Sequence, residues 1–281
     1  MRLEGKPVAQ ALDEATACRC RELKEKGIVP RLVILRIGRR EEDLSYERGA
    51  LKRCQKVGIE AQVLEMPEEI GEEELLSRIE QLNREPTIHG VLMLRPFPAH
   101  IRDERVRAAL DPAKDVDGVT DGSLAGVFTG TGRGFAPCTA EACLKILEHY
   151  GIDPAGRRAV VVGRSLVVGR PAAMLLLHKN ATVTLCHTKT RNLPEICRQA
   201  EILVVAAGHM GAVGAESAAP GQTVLDVGIH MGPDGKLRGD TDFAALEPVV
   251  GAITPVPGGV GAVTTSVLAE HVAAAALRQS R

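Results

Sequence analysis

The chain has 281 residues, enough for two domains at roughly 150 residues each. Its 35 basic and 36 acidic side chains leave a net charge of −1, which argues against a general binder of nucleic-acid backbone, and 2% aromatics with no tryptophan leave few rings to stack on bases. Hydrophobic residues at 44% with 25% charged suit a folded globular protein, and no run of about 18 apolar residues offers a membrane span.

Met1-Arg2-Leu3-Glu4-Gly5-Lys6 lacks the apolar stretch of a secretory leader. Seven irregularly spaced cysteines without a Cys-x-x-Cys pattern signal neither a disulfide framework nor a zinc site. Cys18 and Cys20, if helical, point about 200° apart and make a poor redox pair. The chain therefore reads as cytoplasmic with reduced thiols.

In chain order, residues 7–26 carry apolar positions at helical spacing up to Gly27, and 31–38 is an aliphatic run closed by glycine, suited to a buried strand. The pattern then predicts a helix over 43–57 capped by Gly58, a strand near 60–65, a helix near 71–84 and a strand over 90–94. Such alternation indicates βαβ units and a mostly parallel sheet. Residues 139–150 read as a helix with Thr139 as N-cap. Four unalternating aliphatic runs follow, at 159–163, 181–186, 202–206 and 223–227, as expected of strands covered on both faces. An alanine-rich helix over 264–281 closes the chain. The fold class expected is α/β, its second half a parallel sheet of Rossmann type.

Gly163-Arg164-Ser165-Leu166-Val167-Val168-Gly169 follows the first of these four strands and opens a helix, with Pro171 near its first turn. It is a variant of the Gly-x-Gly-x-x-Gly phosphate turn, in which glycines admit a pyrophosphate to the backbone and the helix start offers unpaired N–H groups. At the end of the next strand an NAD site would carry a carboxylate for the ribose 2′-hydroxyl. Here stand Cys186-His187-Thr188-Lys189-Thr190, and Arg164 adds a guanidinium. Charged donors suit a 2′-phosphate, so NADP is preferred; the alternative is a merely solvated basic turn.

Three further motifs, Lys114-Asp115-Val116-Asp117-Gly118, Pro137-Cys138-Thr139 and Thr254-Pro255-Val256-Pro257-Gly258-Gly259-Val260-Gly261, stand in order with Gly163-Arg164-Ser165. Together they resemble the methylenetetrahydrofolate dehydrogenase/cyclohydrolase family, from about residue 5 to the C-terminus. The resemblance implies oxidation of 5,10-methylenetetrahydrofolate to the 5,10-methenyl form with NADP and, in bifunctional members, hydrolysis to 10-formyltetrahydrofolate. It implies two α/β domains around a cleft: a folate-binding catalytic domain over 1–138, completed by the helix 264–281, and an NADP-binding Rossmann domain over 139–263. It also implies a homodimer whose partner is a small tetrahydrofolate derivative, not nucleic acid or membrane.

Position by position, Asp117 resembles the carboxylate that accepts the pterin's donor edge, Asp115 a structural neighbour, and Tyr46 the active-site tyrosine that contacts the folate ring. An Asp-x-Asp-Gly turn can also be a metal loop, but no further carboxylates stand at loop spacing, so no metal is expected. Pro257, Gly258 and Gly259 resemble the loop where nicotinamide and folate meet. Gly163, Arg164, Ser165, Gly169, His187 and Thr188 correspond to the dinucleotide site, and Ile229 to a residue whose backbone touches the cofactor.

The pattern breaks in two places. The family lysine four residues after the tyrosine is Ala50 here, and its glutamine partner is Leu94. Lys52, six residues from Tyr46, would lie about 240° around a helix and matches a second family lysine. Ala262, where the family usually has proline, is a smaller departure. Hydride transfer chiefly needs alignment of two rings, whereas hydrolysis needs a positioned acid/base worth about 10²–10⁴-fold. Dehydrogenase activity is therefore expected to survive and cyclohydrolase activity to be weak or absent. Arg48, Arg53 and Arg95 make poor bases because guanidinium stays protonated; His89 and His100 read as surface residues. The alternatives are a fully bifunctional enzyme and a catalytically silent folate or nucleotide binder.

Overall fold

The computed structural model describes residues 1–280. In chain order the elements are α1 (Gly5–Glu25), β1 (Arg31–Ile37), α2 (Glu41–Val57), β2 (Glu60–Met66), α3 (Glu72–Arg84), β3 (Gly90–Met93), α4 (Asp103–Ala109) and α5 (Asp121–Thr129). They continue with α6 (Cys138–His149), β4 (Arg158–Val162), α7 (Gly169–His178), β5 (Thr182–Cys186), α8 (Leu193–Arg198) and β6 (Ile202–Val205). The last are β7 (Thr223–Asp226), β8 (His230–Met231), β9 (Leu237–Arg238), α9 (Phe243–Leu246), β10 (Ala252–Ile253) and α10 (Thr264–Gln279). The chain forms two compact units, one of residues 11–138 with the chain from Thr265 onward, the other of residues 1–10 with 139–264.

In the unit built on 11–138 a parallel sheet runs in the order β2-β1-β3. The central strand β1 is buried from Leu32 to Ile37, aliphatic throughout except at Arg36, which is what a strand covered on both faces requires. Helix α2 buries Asp43, Glu47, Ala50, Cys54 and Val57, a stripe stepping four and three residues at a time, and Gly58 closes it in the left-handed region. Two helices without strong periodicity, α4 and α5, escape the sequence reading. Thr120 caps α5 by accepting the Ser123 N–H, and the Asp115 carboxylate takes the Val119 and Thr120 N–H groups at 3.0 and 2.7 Å. His89 is not a surface residue: at 8% exposure its Nδ1 accepts the Arg31 N–H, satisfying the start of β1. His100 is exposed, its ring Nε2 on the Ile70 carbonyl.

In the other unit five parallel strands run in the order β10-β7-β6-β4-β5. Four match the aliphatic runs; β10, two residues long, has no sequence signature. The chain leaves β4 to one side for β5 and returns on the other for β6, so the strand order reverses at β4, where open α/β sheets bind ligands. Helix α6 begins at Cys138, so Thr139 lies in its first turn and is not the N-cap expected. The first ten residues belong here and not with 11–138, because Arg2 pairs in parallel with Ile253 at the sheet edge and Leu3 N–H donates to the Ile253 carbonyl at 2.8 Å. So short a pairing is invisible to periodicity.

Candidate active site

In the unit of residues 11–138, Tyr46 and Asp117 share one environment. Helix α2 presents Tyr46 beside its buried stripe, and the turn after Asp115 carries Asp117. Burial, then the Asp117 and Cys138 groups, hold the Tyr46 hydroxyl well above its ordinary pKa. Burial first, and then Asp115, push the Asp117 carboxyl up to about 6, against a Cys138 hydrogen bond and the attraction of His271 and Arg95. Such a carboxyl, poised near neutrality, is a hallmark of a binding or catalytic position. Asp115, by contrast, is fully buried and engaged on two backbone N–H groups, a structural role.

Ala50 is 0% exposed and Leu94 is 5% exposed, so neither position of the altered pair reaches solvent. Lys52 and Arg48 are exposed. Arg53 is bound to Asp13, and Arg95 is clamped to Asp103 through two bonds of 2.6 Å. Helix α2 is held from below by the buried pair Arg36–Glu47 at 2.7 Å, next in sequence to Tyr46. Cys138 and His271, both against the turn that carries Asp117, were not foreseen as site residues. Cys138 stood inside a quoted motif, but nothing local marks a histidine in an apolar terminal helix.

In the Rossmann-like unit, β4 is followed by Gly163 at φ +127°, where an added Cβ would stand 2.0 Å from the Ala206 carbonyl oxygen. Gly169 is equally constrained, its Cβ position 2.0 Å from the Gly163 oxygen. The turn is therefore pressed against the end of β6, and only glycine fits. Ser165 alters one expectation: its Oγ accepts the Val168 and Gly169 N–H groups at 3.1 and 3.4 Å. The start of α7 is thus partly covered and not bare, and Ser165 retains its hydroxyl proton for a ligand. A cavity of about 210 Å³ joins Gly163, Arg164 and Ser165 to His187 and Thr188 at the end of β5 and to Ala206 and Ala207 after β6. Arg164 and Thr188 are exposed, and the His187 turn is closed by its N–H on Thr190 Oγ1 at 2.8 Å. A cradle that a Cβ would fill, rimmed by a guanidinium, an imidazole and a hydroxyl, fits a phosphorylated dinucleotide.

A second cavity of about 280 Å³ is lined by Asp226 to Ile229 and by the loop from Pro255 to Ala262, which includes Pro257, Gly258 and Gly259. Ile229 is 56% exposed. Beneath these loops lies a polar cluster that sequence reading missed. Asp240 accepts the Ala207 and Gly208 N–H groups at 2.6 and 3.0 Å and meets His230 Nε2 at 2.6 Å. Asp226 accepts from the Asp240 and Thr241 N–H groups, both at 2.9 Å. Among the described residues no group of three or more His, Cys, Asp or Glu side chains could hold a metal ion, and no helix is long and apolar enough to cross a membrane.

Two family descriptions match the chain: "Tetrahydrofolate dehydrogenase/cyclohydrolase, catalytic domain" over residues 3–117, and "Tetrahydrofolate dehydrogenase/cyclohydrolase, NAD(P)-binding domain" over 137–280. The chain is 50% identical over 272 residues to the Bifunctional protein FolD of Carboxydothermus hydrogenoformans, covering 96% of this chain and 95% of that one. Its structure is similar to the crystal structure of the bifunctional FolD of Campylobacter jejuni, with a TM-score of 0.96, 36% identity and 99% of each chain covered. It is similar also to the Trypanosoma brucei FolD complexed with NADP cofactor and inhibitor, with a TM-score of 0.93, 31% identity, and 100% and 98% of the two chains covered.

Proposed function

Because the chain belongs to the tetrahydrofolate dehydrogenase/cyclohydrolase family, we propose that it is an NADP-dependent 5,10-methylenetetrahydrofolate dehydrogenase whose cyclohydrolase activity is weak or absent. Asp117 would accept the 2-amino and ring N–H groups of the pterin, and Tyr46 would contact the folate ring. Gly163, Ser165 and Gly169 would receive the pyrophosphate, and Arg164, His187 and Thr188 the 2′-phosphate. Ile229 and the Pro257–Gly259 loop would wall the ring end of the dinucleotide. NADP, when bound, supplies the hydride acceptor.

The observation that carries the second clause is the solvent-free Ala50 beside the tyrosine helix turn. Hydride loss from the methylene bridge leaves a resonance-stabilised cation and requires no proton shuttle. Water attack on that cation requires proton movement between oxygen and nitrogen, ordinarily aided by a positioned base. The charged and titratable groups acting on Asp117 are Asp115, Cys138, His271 and Arg95. Asp115 is bound to backbone and Arg95 to Asp103, and no lysine is among the groups that act on Asp117.

Purified protein given methylenetetrahydrofolate and NADP should form NADPH and the methenyl product; no turnover at saturating substrates would make the chain a silent binder instead. Methenyltetrahydrofolate should decay with the protein at nearly the rate in buffer alone, and a large acceleration would refute the loss of hydrolysis. The second reading, both activities retained, draws support from the 50% identical relative bearing the name bifunctional. The proposal includes a cytoplasmic homodimer, taken from the family resemblance; light scattering that returns a monomer mass would overturn it.

A further inference from the structure

The backbone turn that carries Asp117 is held by side chains of two helices distant in sequence. The Val116 carbonyl accepts from His271 Nδ1 at 2.8 Å and from Cys138 Sγ at 3.3 Å, and the two donors lie 3.7 Å apart. A carbonyl only accepts, so Nδ1 carries the ring proton in this arrangement. Val116 C=O and the Asp117 N–H belong to one planar peptide unit, so fixing the oxygen fixes the plane from which the Asp117 side chain projects. The other side of the turn is fixed separately, by the Asp115 carboxylate on Val119 and Thr120. His271 is 4% exposed and stacks on Phe135 with ring centroids 4.8 Å apart. Its ring is thus oriented by packing as well as by the hydrogen bond.

We propose that His271, assisted by Cys138, is a positioning residue for folate recognition: from α10 it holds the Val116 carbonyl and so aims Asp117. The inference rests on the reading of Asp117 as the folate carboxylate. The groups acting on Asp117 are Asp115, which opposes ionisation, and Cys138, His271 and Arg95, which favour it; the Tyr46 hydroxyl shares the environment. Arg95 is bound to Asp103.

Dehydrogenase kinetics on His271→Ala and His271→Asn test the role. His271→Ala leaves the buried Val116 carbonyl with the weaker Cys138 thiol as its donor and should raise the KM for methylenetetrahydrofolate about five- to hundred-fold, with kcat and the KM for NADP within about threefold of the parent. His271→Asn, which can still donate, should restore most of that KM. An unchanged folate KM in folded His271→Ala protein would overturn the inference, as would an equal rise in the NADP KM or no recovery in His271→Asn. Calorimetric titration with tetrahydrofolate gives the same comparison without turnover. A parent protein that binds tetrahydrofolate but does not turn over refutes the activity reading alone.

Discussion

Replacing Asp117 by asparagine should trade activity for stability. The carboxyl is displaced from an ordinary 3.8 up to about 6, so the folded protein holds this proton more tightly than the unfolded chain does. Stability is then highest with Asp117 protonated and falls as pH rises from about 3.8 through about 6. Two units of displacement at about 1.36 kcal/mol each make the penalty on the order of 3 kcal/mol above that window. Asparagine cannot ionise and escapes the penalty. At about 2–4 °C per kcal/mol for units of this size, Asp117→Asn should melt roughly 5–10 °C above the parent at pH 8, and the gap should close towards pH 4. If Asp117 accepts from the pterin as proposed, the same change also puts a partial donor opposite the pterin's donor edge. Hydrogen bonds to charged groups contribute about 1.5–3 kcal/mol, so kcat/KM should fall at least tenfold and the acid limb near pH 6 should vanish. Thermal unfolding by circular dichroism and initial rates of NADPH formation, both over pH 4–9, read the two effects. A variant no more stable than the parent at pH 8, or a parent whose kcat/KM shows no inflection between pH 5 and 7, would refute the reasoning.

The double variant Ala50→Lys, Leu94→Gln should gain methenyltetrahydrofolate hydrolysis of about 10²-fold over the parent, seen as faster loss of methenyl absorbance, while either single change should gain little. A folded double variant without that gain would count against the assignment of these positions. Gly163→Ala would force a Cβ to within 2.0 Å of the Ala206 oxygen at φ +127°, so it should cost about 2–4 kcal/mol and raise the NADP KM. Melting curves with and without NADP check this. Asp240→Asn should leave one of the Ala207, Gly208 and His230 donors poorly matched, raising the NADP KM about tenfold with the folate KM unmoved. Steady-state kinetics varying each substrate in turn would show an equal rise in both if the residue were merely structural.

What the sequence alone determined lies within short windows. Continuous β-branched runs mark strands covered on both faces, Gly58 marks the end of the charged helix α2, and Gly163 marks a tight turn after a strand. Each follows from backbone sterics and side-chain periodicity, which neighbours in sequence suffice to express. The two-domain α/β class was legible for that reason. Only the tertiary structure decided the rest. Asp115 and Asp117 are two residues apart and chemically alike, yet one is consumed by backbone amides and the other is left with a raised pKa. His271 reaches Val116 across 155 residues of chain, Asp240 reaches Ala207 across 33, and Arg2 closes a sheet edge near residue 253. His89, charged to solvent by its residue type, proved to be a buried acceptor. A polar side chain's role depends on which donors and acceptors the packed fold brings within about 3 Å of it, and no local pattern carries that information.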